Sequence, residues 1–233
     1  MDIQKVKQSP KSAFWIGLQQ FLPIVPGAMA FGIVYGVAAT DIGIKPVEGI
    51  LMSMFMVAGA SQVVTIELLK TEASIWLIIL SVMLVNLRFV IYSASLTRYF
   101  KPYSIWWRMA LGYFLTDQPY ALSIAYFDEH PDAPHKQWFH LGHSVMLWLS
   151  WVAGSALGLF VGDFIPESFG FGFAIPLMFI ALGVPAIKDR SFLIVAIVAS
   201  VVALIAAPLP NNLGLLIAVI CGMLVGVLIG DDE

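Results

Sequence analysis

Residues 74–97 read SIWLIILSVMLVNLRFVIYSASLT, an apolar run in which Arg88 is the sole charged side chain. At about 1.5 Å per residue, a helix over this run spans the roughly 30 Å hydrocarbon core of a bilayer. Seven further stretches of the same make-up lie outward from it, near 14–39, 47–69, 106–127, 138–161, 170–187, 191–207 and 212–229. Together they account for most of the 233 residues and leave no room for a soluble domain. Composition agrees, because 60% of the chain is hydrophobic and only 12% is charged, against about 25% charged in a soluble domain. The expectation is an all-α, polytopic integral membrane protein of about seven or eight transmembrane helices, several of them broken by Pro or Gly.

The same numbers exclude other classes. Twelve Lys+Arg and fifteen Asp+Glu cannot form the charged shell of a soluble globule. A net charge of −3 gives no basic excess for nucleic acid, and so apolar a chain is not disordered. Cys221 alone supports neither a disulfide framework nor a multi-cysteine metal site, and reads as a packed thiol. His135, His140 and His143 fall close together beside Asp128, Glu129 and Asp132, without an HExxH pattern. They are expected to form a polar cluster at the membrane edge rather than a metal site. No phosphate-binding loop occurs and no cofactor is expected; if the chain pumps, the energy comes from an ion gradient or another subunit.

Lys5, Lys7 and Lys11 precede the first apolar run, and Ala28-Met29-Ala30 mimics a signal-peptide cleavage site. Cleavage is rejected, since the run continues to Ala39 and Pro23 and Pro26 interrupt it. The expected organisation is a cytoplasmic N-terminal segment at 1–13, one transmembrane transporter domain at 14–229 and an acidic tail at 230–233. Eight crossings with the N-terminus inside put seven cationic side chains inside (Lys5, Lys7, Lys11, Lys70, Lys136, Lys188, Arg190) and four outside (Lys45, Arg98, Lys101, Arg108). The cluster Arg98, Lys101, Arg108 violates the positive-inside rule, so either that loop is an exception or an earlier segment does not fully cross.

Charges at mid-membrane cost about 2.5 to 3.5 kcal/mol on insertion scales and mark functional candidates. Arg88 and Asp117 are the two, and each needs a partner: each other, backbone carbonyls, or a transported ligand. Pro23, Pro26 and Pro119 remove amides and clash with the carbonyls four residues back, so helix breaks are expected there. Such breaks survive in a bilayer where the freed groups face protein or a water-filled cavity, and half-helix ends can then bind ionic groups. Gly59-Ala60-Ser61-Gln62 combines small residues with a polar amide, and Arg88, Tyr92 and Ser95 share one helical stripe. Glycines at fourfold spacing (Gly32 and Gly36; Gly154, Gly158 and Gly162; Gly222, Gly226 and Gly230) form close-packing ridges. These serve within the chain or against a second subunit, the terminal ridge being the one favoured for a partner.

Four motifs are then in hand: Pro23-x-x-Pro26-Gly27-Ala28-Met29-Ala30-Phe31-Gly32; Gly59-Ala60-Ser61-Gln62; Val85-Asn86-Leu87-Arg88-Phe89 followed by Tyr92-Ser93-Ala94-Ser95-Leu96; and Thr116-Asp117-Gln118. Jointly they resemble the AzlC family of branched-chain amino acid permeases, from about Phe14 to Phe127 by motif and beyond it by length and hydropathy. The resemblance implies a proton-driven exporter of L-valine, related branched-chain amino acids and methionine. It also implies residence in the bacterial cytoplasmic (inner) membrane and a small AzlD-type membrane subunit as partner.

A zwitterionic amino acid needs a cationic or helix-N-terminal group for its carboxylate, an anionic or carbonyl group for its ammonium and an apolar pocket. The assignments expected are Arg88 for the carboxylate, Asp117 for the ammonium or the coupling proton, and Gln62 and Asn86 as orienting groups. Ser61, Gln118 and Tyr92 extend this polar set, Pro23, Pro26, Gly27 and Pro119 supply the helix breaks, and Phe31 and Phe89 the pocket. A passive channel and a scaffold subunit of another transporter are the alternatives. An intramembrane enzyme is disfavoured, because no nucleophile and base or metal-ligand set falls at compatible depths.

Overall fold

The computed structural model describes residues 9–164, 187, 189–209 and 213–230. Among them the chain is helical with no strand. It divides into two compact units, Met1–Gln62 with Asn86–Pro166 and Val63–Val85 with Glu167–Glu233, which are described in turn.

In the first unit, helix α1 (Pro10–Phe21) starts at Ser9, whose hydroxyl accepts the amide of Ser12 at 3.1 Å. A single 3-10 turn, Leu22–Ile24, leads straight into α2 (Val25–Asp41), so that 10–41 is one apolar rod of 32 residues. The breaks expected at Pro23, Pro26 and Gly27 are thus reduced to one tightened turn. Each proline sits in the first turn of its element, where the amide it lacks has no intrahelical acceptor.

Helix α8 (Lys136–Val161) lies against this rod and runs parallel to it. Gly17 meets Gly142, Gly36 meets Gly158, and Thr40 meets Gly162. The contact is backbone to backbone: a Cβ on Gly158 would stand 2.2 Å from the carbonyl oxygen of Ile33, and one on Gly36 2.4 Å from that of Ser155. The first two glycine ridges are therefore used within the chain.

Segments 47–69 and 106–127, expected as single crossings, are each two half-helices with a sharp turn between them. The first is α3 (Pro46–Phe55) and α4 (Gly59–Lys70), interrupted at 56–58. Gln62 donates to the hydroxyl of Ser53, nine positions earlier, at 3.3 Å. A straight helix would hold those backbones about 13 Å apart, beyond the joint reach of the two side chains. The second pair follows α5 (Ile75–Phe100) and consists of α6 (Ile105–Tyr113) and α7 (Asp117–Glu129), interrupted at 114–116.

Two ion pairs fix the direction of α7. Arg88 pairs with Asp117 at 3.1 Å and Arg98 with Asp128 at 2.6 Å, so both helices advance together and run parallel. Helix α6 therefore descends along α5 from the link at 101–104, with Leu111 and Leu115 packed in one core with Leu96 and Phe100. Helix α7 then climbs back to the same end. Among the described residues, three helices are long and apolar enough to cross a bilayer: Pro10–Asp41, Ile75–Phe100 and Lys136–Val161.

This topology removes the charge anomaly. Among the described residues of this unit, Lys11, Arg98, Lys101, Arg108 and Lys136 lie at one end and Lys45 at the other, with Arg88 at mid-depth. Lys5 and Lys7 lie outside the described residues. The cationic end is closed by an aromatic core of Phe100, Tyr126, Phe127 and Phe139. Over it, the Lys136 ammonium lies 4.8 Å from the Tyr99 ring centroid, and the Tyr99 hydroxyl donates to Asp128. His140 and His143 sit inside this core, not at a solvated edge, and both are fully buried. His140 Nδ1 contacts Ser123 Oγ at 2.8 Å and His143 Nε2 contacts Gln20 Oε1 at 3.0 Å.

In the second unit, Val63–Lys70 of α4 packs antiparallel on the start of α5 through Leu68, Leu77 and Ile78. Helices α9 (Arg190–Ala206) and α10 (Leu213–Gly230) form an apolar hairpin. The Asp189 side chain caps α9 by accepting the amides of Ser191 and Phe192 at 2.8 and 3.0 Å. Gly222 faces α9, where its Cβ would meet Ala199 Cβ at 3.2 Å, and Gly226 faces Val195. This part of the terminal ridge, favoured from sequence for a partner, is covered by α9. The apolar run expected at 170–187 and the acidic residues 231–233 lie outside the described residues.

Candidate functional site

The two interruptions bring polar groups to mid-depth in the first unit. Asp117 is the first residue of α7, where the unsatisfied amides of a helix N-terminus favour a carboxylate. Arg88 Nη1 reaches Asp117 Oδ1 at 3.1 Å, and the Tyr92 hydroxyl donates to the same oxygen at 2.8 Å. Tyr92 is held in turn by stacking on Tyr120, with ring centroids 4.3 Å apart. The pair is half open: the Arg88 side chain is 32% exposed and that of Asp117 38%.

Two buried polar atoms beside this pair lack a hydrogen-bond partner. One is Arg88 Nε and the other is the hydroxyl of Thr116. Thr116 precedes α7 in an extended conformation, yet its side chain does not cap the helix. Buried polar groups are normally satisfied, so these two are unused capacity at the place where the chain is interrupted. Gln118 follows in the first turn of α7. Pro119 sits there too, so the break lies ahead of it at 114–116 and its ring meets no helical carbonyl of Leu115.

The other tip is built around Gln62, which is fully buried. Its Nε2 donates to Ser53, and its Oε1 accepts the indole N–H of Trp151 at 2.7 Å. Its amide is thus engaged by protein on both sides, which makes Gln62 a clamp on the first hairpin. Ser61 donates to Asn86 Oδ1 at 2.7 Å, fastening the start of α4 to α5. Gly59 is required by Trp151, whose ring would stand 2.7 Å from a Cβ at this position.

The two aromatic residues expected to line one pocket are placed apart. Phe31 packs edge-on against Trp151 at 5.0 Å, whereas Phe89 neighbours Tyr92 at 6.1 Å and lies 5.2 Å from the Arg88 guanidinium carbon. No ring contact joins Phe31 to Phe89 among the described residues.

The tips are tied to each other. The Tyr113 hydroxyl donates to the Met54 carbonyl at 2.7 Å, and the Trp148 indole donates to the same oxygen at 3.1 Å. Tyr113, Met54, Trp148 and Trp151 were not singled out from sequence. The available signal was chemical: a Tyr or Trp at membrane depth must find an acceptor for its polar hydrogen. Among the described residues, no three His, Cys, Asp or Glu side chains are grouped to hold a metal ion.

Helices of crossing length, two interrupted segments tied at Met54 and a half-open ion pair at the second of them define a polytopic α-helical membrane protein with a polar centre. Sequence comparison places it more closely. The chain belongs to the AzlC family, whose model, described as AzlC protein, matches residues 23–165. It is similar to the inner membrane protein YgaZ of Escherichia coli, at 28% identity over 98% of this chain and 96% of that one. It is also similar to the branched-chain amino acid transport protein AzlC of Bacillus subtilis, at 25% identity over 73% of this chain and 66% of that one. An uncharacterized membrane protein of Helicobacter pylori is 30% identical over 73% of this chain and 74% of its own length. No solved structure matches the chain.

Proposed function

We propose that this chain is the large subunit of a two-component secondary-active exporter of L-valine and related branched-chain amino acids, methionine included, coupled to protons. The observation that carries this reading is the half-open Arg88–Asp117 pair, which joins α5 to the interrupted start of α7. A carrier needs charges at mid-depth that can exchange an internal partner for a zwitterion. Arg88 would release Asp117 to take the substrate carboxylate, while Asp117 takes the ammonium or the coupling proton. The name of the Bacillus subtilis relative supports branched-chain amino acids as the substrate class.

The cationic end of the first unit is assigned to the cytoplasm by the positive-inside rule, in a bacterial cytoplasmic membrane. An AzlD-type small subunit completes the exporter. The test is intracellular valine over time in cells loaded with a valine-containing dipeptide and expressing the chain with its small partner. Faster valine loss that Asp117→Asn abolishes, with the variant present in the membrane, is expected. Loss no faster than in empty cells, with both subunits in the membrane, would overturn the valine assignment.

A further inference from the structure

A half-open groove of about 190 Å³ lies between α5 and α6, on the cationic side of the polar centre, with Ser93, Thr97, Lys101, Arg108 and Gly112 exposed along it. Its walls change character along its length. Lys101 and Arg108 stand at the outer end, Ser93 and Thr97 follow along α5, and Leu115 lies at the inner end, next to the unpartnered Thr116. Neither Lys101 nor Arg108 is in an ion pair among the described residues, whereas Arg98 at the same end is held by Asp128. Ser93 follows Asn86 by seven residues and Thr97 follows Ser93 by four, so all three share one face of α5. Asn86 binds Ser61 in the first turn of α4. The groove therefore runs along that face from two unclaimed cations to Ser93 and Leu115.

Its size and shape fit a small amphiphile. At about 30 Å³ per water the volume holds roughly six waters, well below a drug-sized pocket of about 300 Å³ or more. Leu96, Leu111 and Leu115 give it an apolar flank. Gly112 opens onto it, and a Cβ there would meet nothing within 4 Å.

We propose that this groove is the cytoplasm-side vestibule of the carrier, a binding site for an aliphatic α-amino acid. Arg108 and Lys101 take the carboxylate, the hydroxyl oxygens of Ser93 and Thr97 accept from the ammonium, the leucines take the side chain, and Gly112 sets the size limit. The inference rests on the exporter reading above and adds a second site to it.

The test uses inside-out membrane vesicles containing the full chain and its small partner, with Cys221→Ser as background and Ser93→Cys as reporter. A membrane-impermeant hydrophilic thiol reagent should modify the reporter, and L-valine should slow that modification. Adding Gly112→Leu should remove the protection by valine. In the original chain, Arg108→Gln should raise the KM for valine about tenfold, the loss of about 1.4 kcal/mol of binding, with little change in maximal rate. A reporter that stays unmodified faces lipid and overturns the proposal. So does modification that valine leaves unchanged while the intact protein moves valine in the same vesicles. Vesicles in which the intact protein moves no amino acid overturn the exporter reading itself, and the vestibule with it.

Discussion

The hydroxyl of Tyr113 at the end of α6 donates to the carbonyl of Met54 at the end of α3, at 2.7 Å, and so joins two hairpins that enter from opposite ends of the unit. Removing that hydroxyl tests how far the tips act together. Tyr113→Phe leaves Met54 with Trp148 as its donor, so the cost should be about 1 kcal/mol, that of one hydrogen bond. The variant should accumulate in the membrane with a slightly lower melting temperature in detergent. Its valine flux should change more than its stability, and equal small losses in both would make the tie merely structural.

Membrane topology is the sharpest consequence of the interrupted segments. Single cysteines at Lys101 and Asp132, in a Cys221→Ser background, should react with an impermeant thiol reagent from the same side. A cysteine at Lys45 should react from the other. An 106–127 segment that crossed would place Lys101 and Asp132 on opposite sides.

Gly158 and Gly36 should tolerate no side chain. With a Cβ on Gly158 only 2.2 Å from a backbone oxygen, relief requires moving α2 away from α8. Gly158→Leu should fail to accumulate, as read by membrane immunoblot, whereas Gly112→Ala, which meets nothing, should reach parental levels.

Gln62→Leu strands the Trp151 N–H in a buried site. An unsatisfied buried group costs about 1–3 kcal/mol, so thermal stability in detergent should fall clearly. Trp151→Phe added to Gln62→Leu removes the stranded donor and should recover part of the loss. No recovery would mean that the Trp151 contact contributes little.

How much of this was legible in the sequence follows from the signals involved. Hydropathy located the helices from 14–39 to 138–161 within a few residues, because burial in lipid leaves long apolar runs. Arg88 and Asp117 stood out because charge at that depth is costly. What hydropathy lacks is direction: a run of about 22 residues looks the same whether it crosses or folds back at its middle. The break at 56–58 carries no proline, and its one mark, Gly59, reads equally as a packing residue. Pro119 pointed to the second break but lies just past it, because proline fits the first turn of a helix better than its middle. The misplaced cations Lys101 and Arg108 were the one legible sign that a segment turns back.

The Met54 carbonyl also sets an order of events during synthesis. Its two donors lie 59 and 94 positions further along the chain. A backbone carbonyl left unsatisfied in hydrocarbon costs several kcal/mol, so the first hairpin gains this stabilisation only once its donors have been translated. The two bonds that hold its tip are completed by residues made after it, Tyr113 first and Trp148 later.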